Sequence, residues 1–341
     1  MKRIRIAQIG TSRMSHGNDI WGTLQKLPEL FEIVGYALPE RERERFSEKM
    51  RAFNGFREMT VEEILSDPTI DAVTVETEEL YLTKYAKMVV ESGKHLHMEK
   101  PGGVGLREFE ELIALVKEKG VVFHTGYMYR YNNAVEKILE EVENGEFGDI
   151  LYVQAQMNCT HNAENRQWLE QYPGGMMFYL GCHLIDLIYR IQGEPLRITP
   201  YNRASGVEGV TSCDFGMAVL EYKNGVSFAQ TTAVENGGFL RRQLVVVGSK
   251  KTAEVHPLEE YVTDKWELSA RVNELMARVR ENDTGEWHGG TNQWESAPQD
   301  RYVEMMSSFA EMVRGEKVNA YTPDYELALY RLVLRACGCD V

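Results

Sequence analysis

The stretch IRIAQIGTSRMSHG (Ile4–Gly17) decides the fold of the first part of the chain. An apolar strand that runs directly into a glycine is typical of the turn that holds phosphate groups in dinucleotide-binding folds. The usual spacing of that turn is G-x-G-x-x-G, whereas here the three positions are Gly10, Ser12 and Ser15. Both serines are small, and the hydroxyl of Ser12 can donate to a phosphate. We therefore expect the turn still to bind a dinucleotide.

Around this turn, strand and helix patterns alternate through the first third of the chain. A capping box at Thr60 and Glu63 predicts the start of one helix. The predicted strands are Arg3–Ile9, Glu32–Leu38, Asp71–Glu76, His95–Met98 and Val121–Thr125. Strands separated by helices form βαβ units and hence a parallel sheet. Residues 1–125 are therefore predicted to form a doubly wound Rossmann domain of the α/β class.

After residue 126 the strands follow one another with few helices between them. They are predicted at Ile150–Asn158, Asp214–Tyr222, Gly225–Val234, Arg241–Gly248 and Thr252–Val255. Asn224-Gly225 between two of them is a signal for a tight hairpin. Residues 126–341 are therefore predicted to form an α+β domain with a large open, mainly antiparallel sheet, which binds substrate and mediates oligomerisation.

Four helices and one irregular stretch complete this predicted domain. The helices are expected at Asn133–Glu143, at Gly181–Ile191 and, as a closing pair, at Tyr302–Arg314 and Tyr325–Cys337. The charged stretch 257–300 carries three tryptophans and is predicted to be a helix plus irregular loops.

Composition and charge argue against several classes of function. The net charge is −14, and a nucleic-acid backbone selects basic surfaces, so we expect no nucleic-acid partner. No apolar run approaches the roughly 20 residues that cross a bilayer, and we expect neither a membrane partner nor a signal peptide. The five cysteines are scattered, which predicts reduced thiols and a cytoplasmic location.

The segment GKHLHMEKPGG (Gly93–Gly103) holds the first group of chemically active residues. In open α/β sheets, ligands bind beyond the carboxyl ends of the strands, so Lys100 stands where a reactive group would stand. Pro101 restricts Lys100 to extended geometry, and the bond between them can be cis. On spacing alone, a surface lysine in a turn is the open alternative.

A second group lies in YPGGMMFYLGCHLIDLIYRIQG (Tyr172–Gly193). Tyr179, His183 and Asp186 are spaced so that they share one face of a helix. A histidine with ionisable neighbours at the start of a helix is a candidate acid or base. A histidine that packs or caps within the core is the alternative for this segment alone.

Together these segments resemble the Gfo/Idh/MocA family of sugar and inositol oxidoreductases. The resemblance rests on EKPGG after a βαβ series and on GG-x-x-x-Y-x-G-x-H-x-x-D about 80 residues later, and it covers nearly the whole chain. Three further segments are similar to the family, namely GYMYRYN (126–132), NGEFGDILYVQAQ (144–156) and VVVGSKKTAEV (245–255).

The resemblance implies hydride transfer between NAD or NADP and a hydroxyl of a sugar, polyol or inositol-like compound. It implies that Lys100 and His183 act on that hydroxyl, with Tyr179 and Asp186 beside them. A neutral base that accepts the hydroxyl proton contributes roughly 10²–10⁴ in rate, and a nearby cation stabilises the alkoxide. At Tyr179 the family usually has an aspartate, which puts the usual division of roles in doubt.

Substrate, cofactor and oligomer contacts follow from the same resemblance. Arg130 and Trp168 are expected in the substrate pocket, and packing of open sheets implies a homodimer or homotetramer. The residues expected to contact the cofactor are Gly10, Ser12, Arg13, Met14, Leu38, Arg41, Thr77, Glu99 and Lys100.

Two strand ends depart from the family pattern. Leu38 stands where an acidic residue binds the ribose; Glu40 is a substitute, whereas Arg41 would instead meet the 2′-phosphate of NADP or lie on a solvated helix face. Thr77 is kept, but Glu78 and Glu79 follow it where the family often has proline and asparagine. The choice between NAD and NADP therefore stays open.

A metal site is not expected. Cys159, His161, Cys182 and His183 supply four possible ligands, but their spacing matches no common zinc motif.

Two other functions stay open beside the dehydrogenase. A catalytically silent sensor that binds a sugar or dinucleotide is favoured by the altered glycine turn and by Tyr179. A lyase or glycosidase that oxidises its sugar transiently would use the same residues.

Overall fold

The structure, a computed structural model, describes residues 2–262, 265–276, 279–280 and 287–341. The chain divides into two compact units, each built around one large sheet. The first unit holds Met1–Tyr127 and Tyr302–Tyr330, and the second holds Met128–Arg301 and Arg331–Val341.

The first unit contains a parallel sheet of five strands. The strands are β1 (Ile4–Ile9), β2 (Phe31–Ala37), β3 (Ala72–Val75), β4 (His95–Met98) and β5 (Phe123–Thr125). The helices between them are α1 (Gly17–Lys26), α2 (Glu42–Arg45), α3 (Val61–Ser66), α4 (Glu79–Glu91) and α5 (Leu106–Lys119). The strand order is β2-β1-β3-β4-β5, and every pair is parallel, which confirms the predicted doubly wound fold. The predicted capping box at Thr60 and Glu63 starts α3.

The register of this sheet brings three functional segments to one edge. Ile9 pairs with Val75, and Val75 pairs with Met98, so β1, β3 and β4 end at the same level. The next residues are Gly10, Glu76 and Glu99. They therefore lie beyond the carboxyl edge of the sheet, where ligands of open α/β sheets bind.

The second unit contains a mainly antiparallel sheet. Its helices are α6 (Asn133–Glu143), α7 (Ala163–Trp168) and α8 (Cys182–Gln192). Its strands are β6 (Ile150–Gln156), β7 (Arg197–Pro200), β8 (Phe215–Tyr222), β9 (Gly225–Thr232), β10 (Gln243–Gly248), β11 (Lys251–Val255), β12 (Glu259–Val262), β13 (Lys265–Met276), β14 (Val279–Arg280), β15 (Trp287–His288) and β16 (Thr291–Asp300). The order in the large sheet is β12-β13-β11-β10-β6-β9-β8-β7, with β16 on β13; β14 pairs with β15 separately. Only the β6–β9 pair of the described ladders in this sheet is parallel, in agreement with the predicted architecture.

The stretch 257–300 is largely strand, so its prediction as a helix plus loops is wrong. β13 buries Leu268, Ala270, Val272 and Glu274 at every second position, which is the period of a strand with one covered face; Ser269, at a shift in register, is buried as well. A charged residue, Glu274, lies on the buried side of the strand, so the charge of the stretch conceals this period in the sequence.

The last helices of the chain are α9 (Val303–Val313) and α10 (Pro323–Cys337). The sequence assigns all residues after 125 to one domain, whereas in the structure Tyr302–Tyr330 pack in the first unit. The reason is the apolar side of α9: Phe309 is fully buried, with its ring centroid 5.3 Å from that of His124 and 5.9 Å from that of His97. None of the helices in the described residues is long and apolar enough to span a membrane.

The predicted hairpin at Asn224-Gly225 joins β8 to β9, but the glycine serves a different purpose there. Neither residue has a positive φ. A Cβ atom on Gly225 would instead lie 1.6 Å from the backbone oxygen of Leu151 on the neighbouring strand. Gly225 is therefore required by the close approach of two backbones.

Replacement of Gly225 by alanine is expected to lower the melting temperature, because β9 would have to move away from Leu151. The cost should be about 1–3 kcal/mol, the usual range for overpacking. Thermal unfolding followed by circular dichroism measures it. Gly22→Ala is the control, since nothing lies within 4 Å of its added Cβ and alanine is favoured inside α1. Equal melting temperatures for the two variants would contradict this interpretation.

Candidate active site

The Gly10 turn follows β1, and Ser12 and Ser15 stand in it at the second and third glycine positions of the usual motif. Gly10 has a φ of +89°, and a Cβ atom on it would lie 2.4 Å from Cγ2 of Thr77. The N–H of Ser15 donates to Oγ of Ser12 (2.9 Å), and the N–H of Ser12 donates to Oγ of Ser15 (3.0 Å). The two serines therefore hold the turn through reciprocal hydrogen bonds in place of glycine geometry.

Glu42 on α2 is a neighbour of this turn that the sequence analysis missed. Its Oε2 atom accepts the N–H of Thr11 at 3.2 Å, and its side chain is fully buried. Burial raises the pKa of Glu42 to about 9, against the opposing effect of the bond from Thr11. The carboxyl group is therefore mostly protonated at neutral pH and does not repel a phosphate. No sequence signal sets it apart, because it lies in a run of alternating glutamate and arginine.

A helix start and basic groups surround the same turn. α1 begins at Gly17, and the N–H groups of a first helical turn favour anions. Nζ of Lys49 donates to the backbone oxygen of Ser15 at 3.3 Å, while Arg13 and Met14 are half-buried. The glycine cradle, the helix start and the uncharged Glu42 together fit the diphosphate of a dinucleotide.

The end of β2 borders a groove of about 430 Å³ in the first unit. Leu38, Lys84 and Tyr85 are among its lining residues. Oε1 of Glu40 accepts hydrogen bonds from Nζ of Lys84 and from the hydroxyl of Tyr85, each 2.7 Å long. The Arg41 side chain is 84% exposed and does not line the groove. Of the residues predicted to meet the ribose, Leu38 thus lies in the groove, Glu40 is bound at its rim and Arg41 faces solvent.

Lys100 at the end of β4 is buried, so the alternative of a surface lysine is wrong. Its side chain is 2% exposed, and Nζ lies 3.8 Å from Oε1 of Glu99. The backbone N–H of Lys100 donates to the same oxygen at 2.9 Å. The peptide bond from Lys100 to Pro101 is cis.

The residues that follow β3 are buried as well. Thr77 packs directly on Gly10. Glu78 is 2% exposed and forms an ion pair with Arg45, so its charge is compensated. Glu79 is 1% exposed and begins α4.

His183 in the second unit follows an unusually wide helical turn. Gly175 has a φ of +54°, and a Cβ atom on it would lie 2.2 Å from the backbone oxygen of Cys213. A π-helical turn over Met177–Gly181 then leads into α8. Such turns are rare and frequently occur at functional sites. His183 is the second residue of α8, is 2% exposed and meets the ring of Tyr129 edge-on, with centroids 5.6 Å apart.

Two predicted site residues, Arg130 and Asp186, bind each other. Nε and Nη2 of Arg130 donate to the two carboxylate oxygens of Asp186 at 2.9 and 2.8 Å. Both side chains are 3% exposed. The pair joins the segment that contains Tyr129 to α8, which contains His183.

A buried cluster around Glu259 lies on the other side of Tyr129, and sequence reasoning missed it. Glu259 accepts hydrogen bonds from the Tyr129 hydroxyl, from Arg242 and from Nε of Arg301, the last at 2.7 Å. Burial works to raise the pKa of Glu259, but Arg242 and Arg301 outweigh it and lower the pKa to about 2. The four residues come from distant parts of the sequence, so no local pattern announces them.

Tyr179 and Trp168 lie together in an aromatic cluster with Tyr172. The ring of Trp168 meets those of Tyr179 and Tyr172 edge-on, with centroids 5.7 and 4.8 Å apart. Tyr179 is 5% exposed, whereas Trp168 is half-buried. The structure thus brings two of the predicted site residues into contact.

Within the described parts of the chain, no three His, Cys, Asp or Glu side chains are grouped so that they would hold a metal ion. Cys159 and Cys182 are buried and form no disulfide, and burial raises the pKa of the Cys159 thiol to about 12.

Comparison with characterised proteins finds relatives that share parts of the sequence. Scyllo-inositol 2-dehydrogenase (NADP(+)) IolW from Bacillus subtilis is 29% identical over 164 residues, which is 48% of this chain and 46% of that enzyme. The chain thus spans about half the length of this relative. Trans-1,2-dihydrobenzene-1,2-diol dehydrogenase from Mus musculus is 24% identical over 249 residues, which is 71% of this chain and 72% of that enzyme.

Solved structures show the same fold over almost the whole chain. KijD10, a 3-ketoreductase from Actinomadura kijaniata solved with NADP and TDP-benzene, aligns with a TM-score of 0.76 at 17% identity and covers 97% of this chain and 96% of that one. UDP-N-acetylglucosamine 3-dehydrogenase GnnA from Acidithiobacillus ferrooxidans aligns with a TM-score of 0.75 at 16% identity and covers 99% of this chain and 97% of that one.

Family profiles match both halves of the chain. The profile of the oxidoreductase family with an NAD-binding Rossmann fold matches residues 4–127. The profile of the GFO/IDH/MocA C-terminal domain matches residues 135–254. The cofactor fold of the first unit and the sheet of the second are thus both those of one family, and the chain belongs to the Gfo/Idh/MocA oxidoreductases.

Proposed function

We propose that the chain is an NAD(P)-dependent dehydrogenase or reductase that moves a hydride between nicotinamide and a hydroxyl-bearing carbon of a sugar, polyol or inositol-like ring. The observation that carries the proposal is the burial of Lys100 beside Glu99 at the carboxyl end of β4. A lysine is costly to remove from water, so its place beyond this strand needs a function to account for it. Relatives named for inositol and dihydrodiol dehydrogenation support a cyclic hydroxy compound as substrate.

The proposed chemistry divides the work between two side chains. When bound, the nicotinamide supplies or accepts the hydride. Lys100, as an ammonium, stabilises the negative charge that develops on the substrate oxygen. His183, as a neutral base, accepts the proton of the hydroxyl. Tyr179, which replaces the aspartate usual in the family, donates a hydrogen bond to the same oxygen.

Arg130 and Asp186 are proposed to act through the protein and not on the substrate. Their paired hydrogen bonds leave neither group available as an acid or base. Because Tyr129 precedes Arg130 and His183 lies one turn before Asp186, the ion pair holds the ring of Tyr129 against that of His183. Trp168 is proposed to pack against the C–H face of the substrate ring, since its flat apolar surface is only half-buried.

The catalytic roles predict three losses of turnover. Lys100→Met should lower kcat by about 10² or more while nucleotide affinity stays nearly constant, because only the charge is removed. His183→Asn should lower it similarly and flatten the pH profile near neutrality. Tyr179→Phe should lower kcat as much as His183→Asn does if Tyr179 donates a proton. If Tyr179 only packs, the loss of kcat should be several-fold at most. Steady-state kinetics on candidate cyclic hydroxy compounds measure all three.

Lys87→Met is the matched control, since Lys87 pairs with Glu111 on the surface of the first unit and should be replaceable without effect. If the three site variants all turn over the true substrate at the wild-type rate, the mechanism is wrong for this chain.

Cofactor affinity is expected to fall as the pH rises through about 9, because Glu42 then ionises beside the phosphate turn. Titration with NAD(H) and NADP(H), followed by nicotinamide fluorescence or calorimetry from neutral to alkaline pH, measures the Kd. Glu42→Gln keeps an oxygen acceptor for the N–H of Thr11 and cannot ionise, so its Kd should stay constant through this range. The same pH dependence in both proteins would rule out Glu42 as its source.

A catalytically silent sensor is the second candidate function. The backbone N–H groups of Thr11, Ser12 and Ser15 already donate hydrogen bonds to protein side chains. Because these groups would otherwise bind the phosphates of a cofactor, their use within the protein favours a sensor. The same titration separates the candidates: absence of binding to all four cofactor forms at millimolar concentration would contradict the dehydrogenase and leave a sugar sensor. Nucleotide that remains bound through purification and is recycled in each turnover would favour the transient-oxidation lyase.

The open face of the large sheet supports a homo-oligomer. Val219, Phe228, Gln154 and Val245 are successive register partners across four strands, and all are half-buried while their neighbours along each strand are buried. Three of these four side chains are apolar, and an apolar row of this kind is suited to contact with a second copy of the sheet.

We expect the protein to sediment as a dimer or tetramer at micromolar concentration, and Phe228→Lys to shift it toward monomer, because a charge would be buried in the contact. Leu240→Lys changes an exposed apolar residue outside the sheet strands and should leave the assembly intact. A wild-type monomer in analytical ultracentrifugation would contradict this assignment.

A further inference from the structure

The segment between β2 and α2 has an unusual backbone. Glu40 and Arg41 have φ angles of +57° and +59°, and in the described parts of the chain Glu208 is the only other non-glycine residue with a positive φ. This conformation is unfavourable for residues with a side chain, and it is found preferentially at functional sites. At this turn the Glu40 side chain contacts α4, whereas the Arg41 side chain is 84% exposed.

The same segment lies beside the phosphate turn. The backbone N–H of Gly10 donates to the backbone oxygen of Ala37, the last residue of β2, at 2.8 Å. Leu38 and Pro39 then line the groove of about 430 Å³, a volume within the range of small-molecule sites. A dinucleotide whose diphosphate lies at the Gly10 turn would therefore place the ribose of its adenosine at the end of β2.

Lys84 and Tyr85 of α4 hold the carboxylate of Glu40 in one place. Both donate to Oε1 at 2.7 Å, and Nζ of Lys84 also donates to the Tyr85 hydroxyl at 3.2 Å. The hydrogen bond from Lys84, followed by that from Tyr85, lowers the pKa of Glu40, so the group is ionised at neutral pH. Within the described residues Oε2 of Glu40 accepts no hydrogen bond, so this oxygen can accept one from a ribose hydroxyl.

The basic side chains from the end of β2 to the end of α2, and Lys84 opposite them, are already matched with carboxylates. The pairs are Arg41–Glu44, Arg43–Glu58, Arg45–Glu78 and Lys84–Glu40. Arg41, which the sequence offers as a partner for the 2′-phosphate of NADP, does not line the groove. A 2′-phosphate at this place would meet the carboxylate of Glu40 and no cation without a partner of its own.

We propose that Glu40 is a specificity-determining residue that selects NAD over NADP, and that Lys84 and Tyr85 are positioning residues that fix its carboxylate. Oε2 of Glu40 accepts a hydrogen bond from the 2′-hydroxyl of the adenosine ribose, which NADP lacks. The 2′-phosphate of NADP is repelled by the same carboxylate, so attraction and repulsion favour one cofactor. The inference rests on the proposed function, because it names the cofactor of that site. The chain would differ in this respect from IolW, whose name specifies NADP(+).

Binding of the four cofactor forms tests the selection without any substrate. The wild type should bind NADH about tenfold or more tightly than NADPH, because only NADH gains a hydrogen bond to a charged group. Glu40→Gln keeps the size of the side chain and an acceptor oxygen but removes the charge. The ratio of the two Kd values should therefore fall by about tenfold, mainly because NADPH binds more tightly. Nicotinamide fluorescence or calorimetry at neutral pH measures each Kd.

Glu62→Gln is the matched control. Glu62 lines the same groove, is exposed and makes no hydrogen bond to Lys84 or Tyr85. Its replacement removes one carboxylate from the groove and leaves Glu40 in place, so the ratio of Kd values should equal that of the wild type. An equal change of the ratio in both variants would show that the overall charge of the groove sets the preference, and it would overturn the role of Glu40.

Two further variants test the positioning of the carboxylate. Tyr85→Phe removes one of the two bonds to Oε1, so NADH should bind several-fold more weakly while the Kd for NADPH stays nearly constant. Lys84→Met should weaken NADH binding in the same way. A merely structural role would weaken both cofactors together. A loss confined to NADPH in Lys84→Met would show that Lys84 binds the 2′-phosphate, and it would overturn the selection of NAD.

The outcomes separate failure of this inference from failure of the proposed function. A wild type that binds NADPH as tightly as NADH would overturn the selection and leave the dehydrogenase intact. An unchanged ratio in Glu40→Gln would do the same. Absence of binding to all four forms would contradict the dehydrogenase itself, and the selection with it. Melting temperatures close to that of the wild type show that the variants are folded.

Discussion

The contact between Gly10 and Thr77 is the constraint on which the first unit depends. Any side chain at position 10 would collide with Thr77, so the end of β1 lies directly on the end of β3. The close approach of these two strand ends sets where α1 can begin and where Ser12 and Ser15 of the turn meet. It also leaves the N–H of Thr11 directed at Glu42, whose bond closes the turn from the side of α2. One missing Cβ atom thus fixes the spatial relation of two strands and two helices.

Both units also have to bury charge, and they do so in two ways. In the second unit, carboxylates are matched with guanidinium groups, as Asp186 is with Arg130 and Glu259 is with Arg242. In the first unit, Glu78 is matched with Arg45 in the same way, whereas burial favours the uncharged form of Glu42. The first solution makes a rigid scaffold, because breaking a buried ion pair leaves an uncompensated charge. The second makes a site whose charge depends on pH.

The sequence predicts the fold well where the period of the pattern is clean. β4 and α6 begin and end at the predicted residues, and most other predicted strands differ from the structure by one or two residues at their ends. The strand β13 was missed because the charged residues of the stretch, which include the buried Glu274, obscured the alternation of its buried residues. The hairpin at Gly225 was predicted correctly, but from turn geometry that the backbone does not adopt.

For the candidate site, local motifs predicted single residues and not their partners. The EKP motif predicts Lys100 as a site residue, but it does not predict that the side chain is buried. Arg130 and Asp186 were both predicted as site residues, but the ion pair between them joins positions 56 residues apart in the sequence and has no local signal. Glu42 carries no signal, because a glutamate in a charged helix is normally solvated. Such groups become chemically distinct only when packing removes their water.

The division of the first unit between Met1–Tyr127 and Tyr302–Tyr330 has a consequence for the synthesis of the protein. During translation the five strands emerge first, but the helix that supplies Phe309 is made only after the strands of the second unit. Until then, the sheet face that holds His97 and His124 lacks its cover. The dinucleotide-binding unit therefore cannot be completed from an N-terminal fragment, and a ribosome that stops early releases a chain without a finished first unit. In this architecture, completion of the nucleotide-binding unit depends on synthesis of the second sheet and of the residues up to Tyr330.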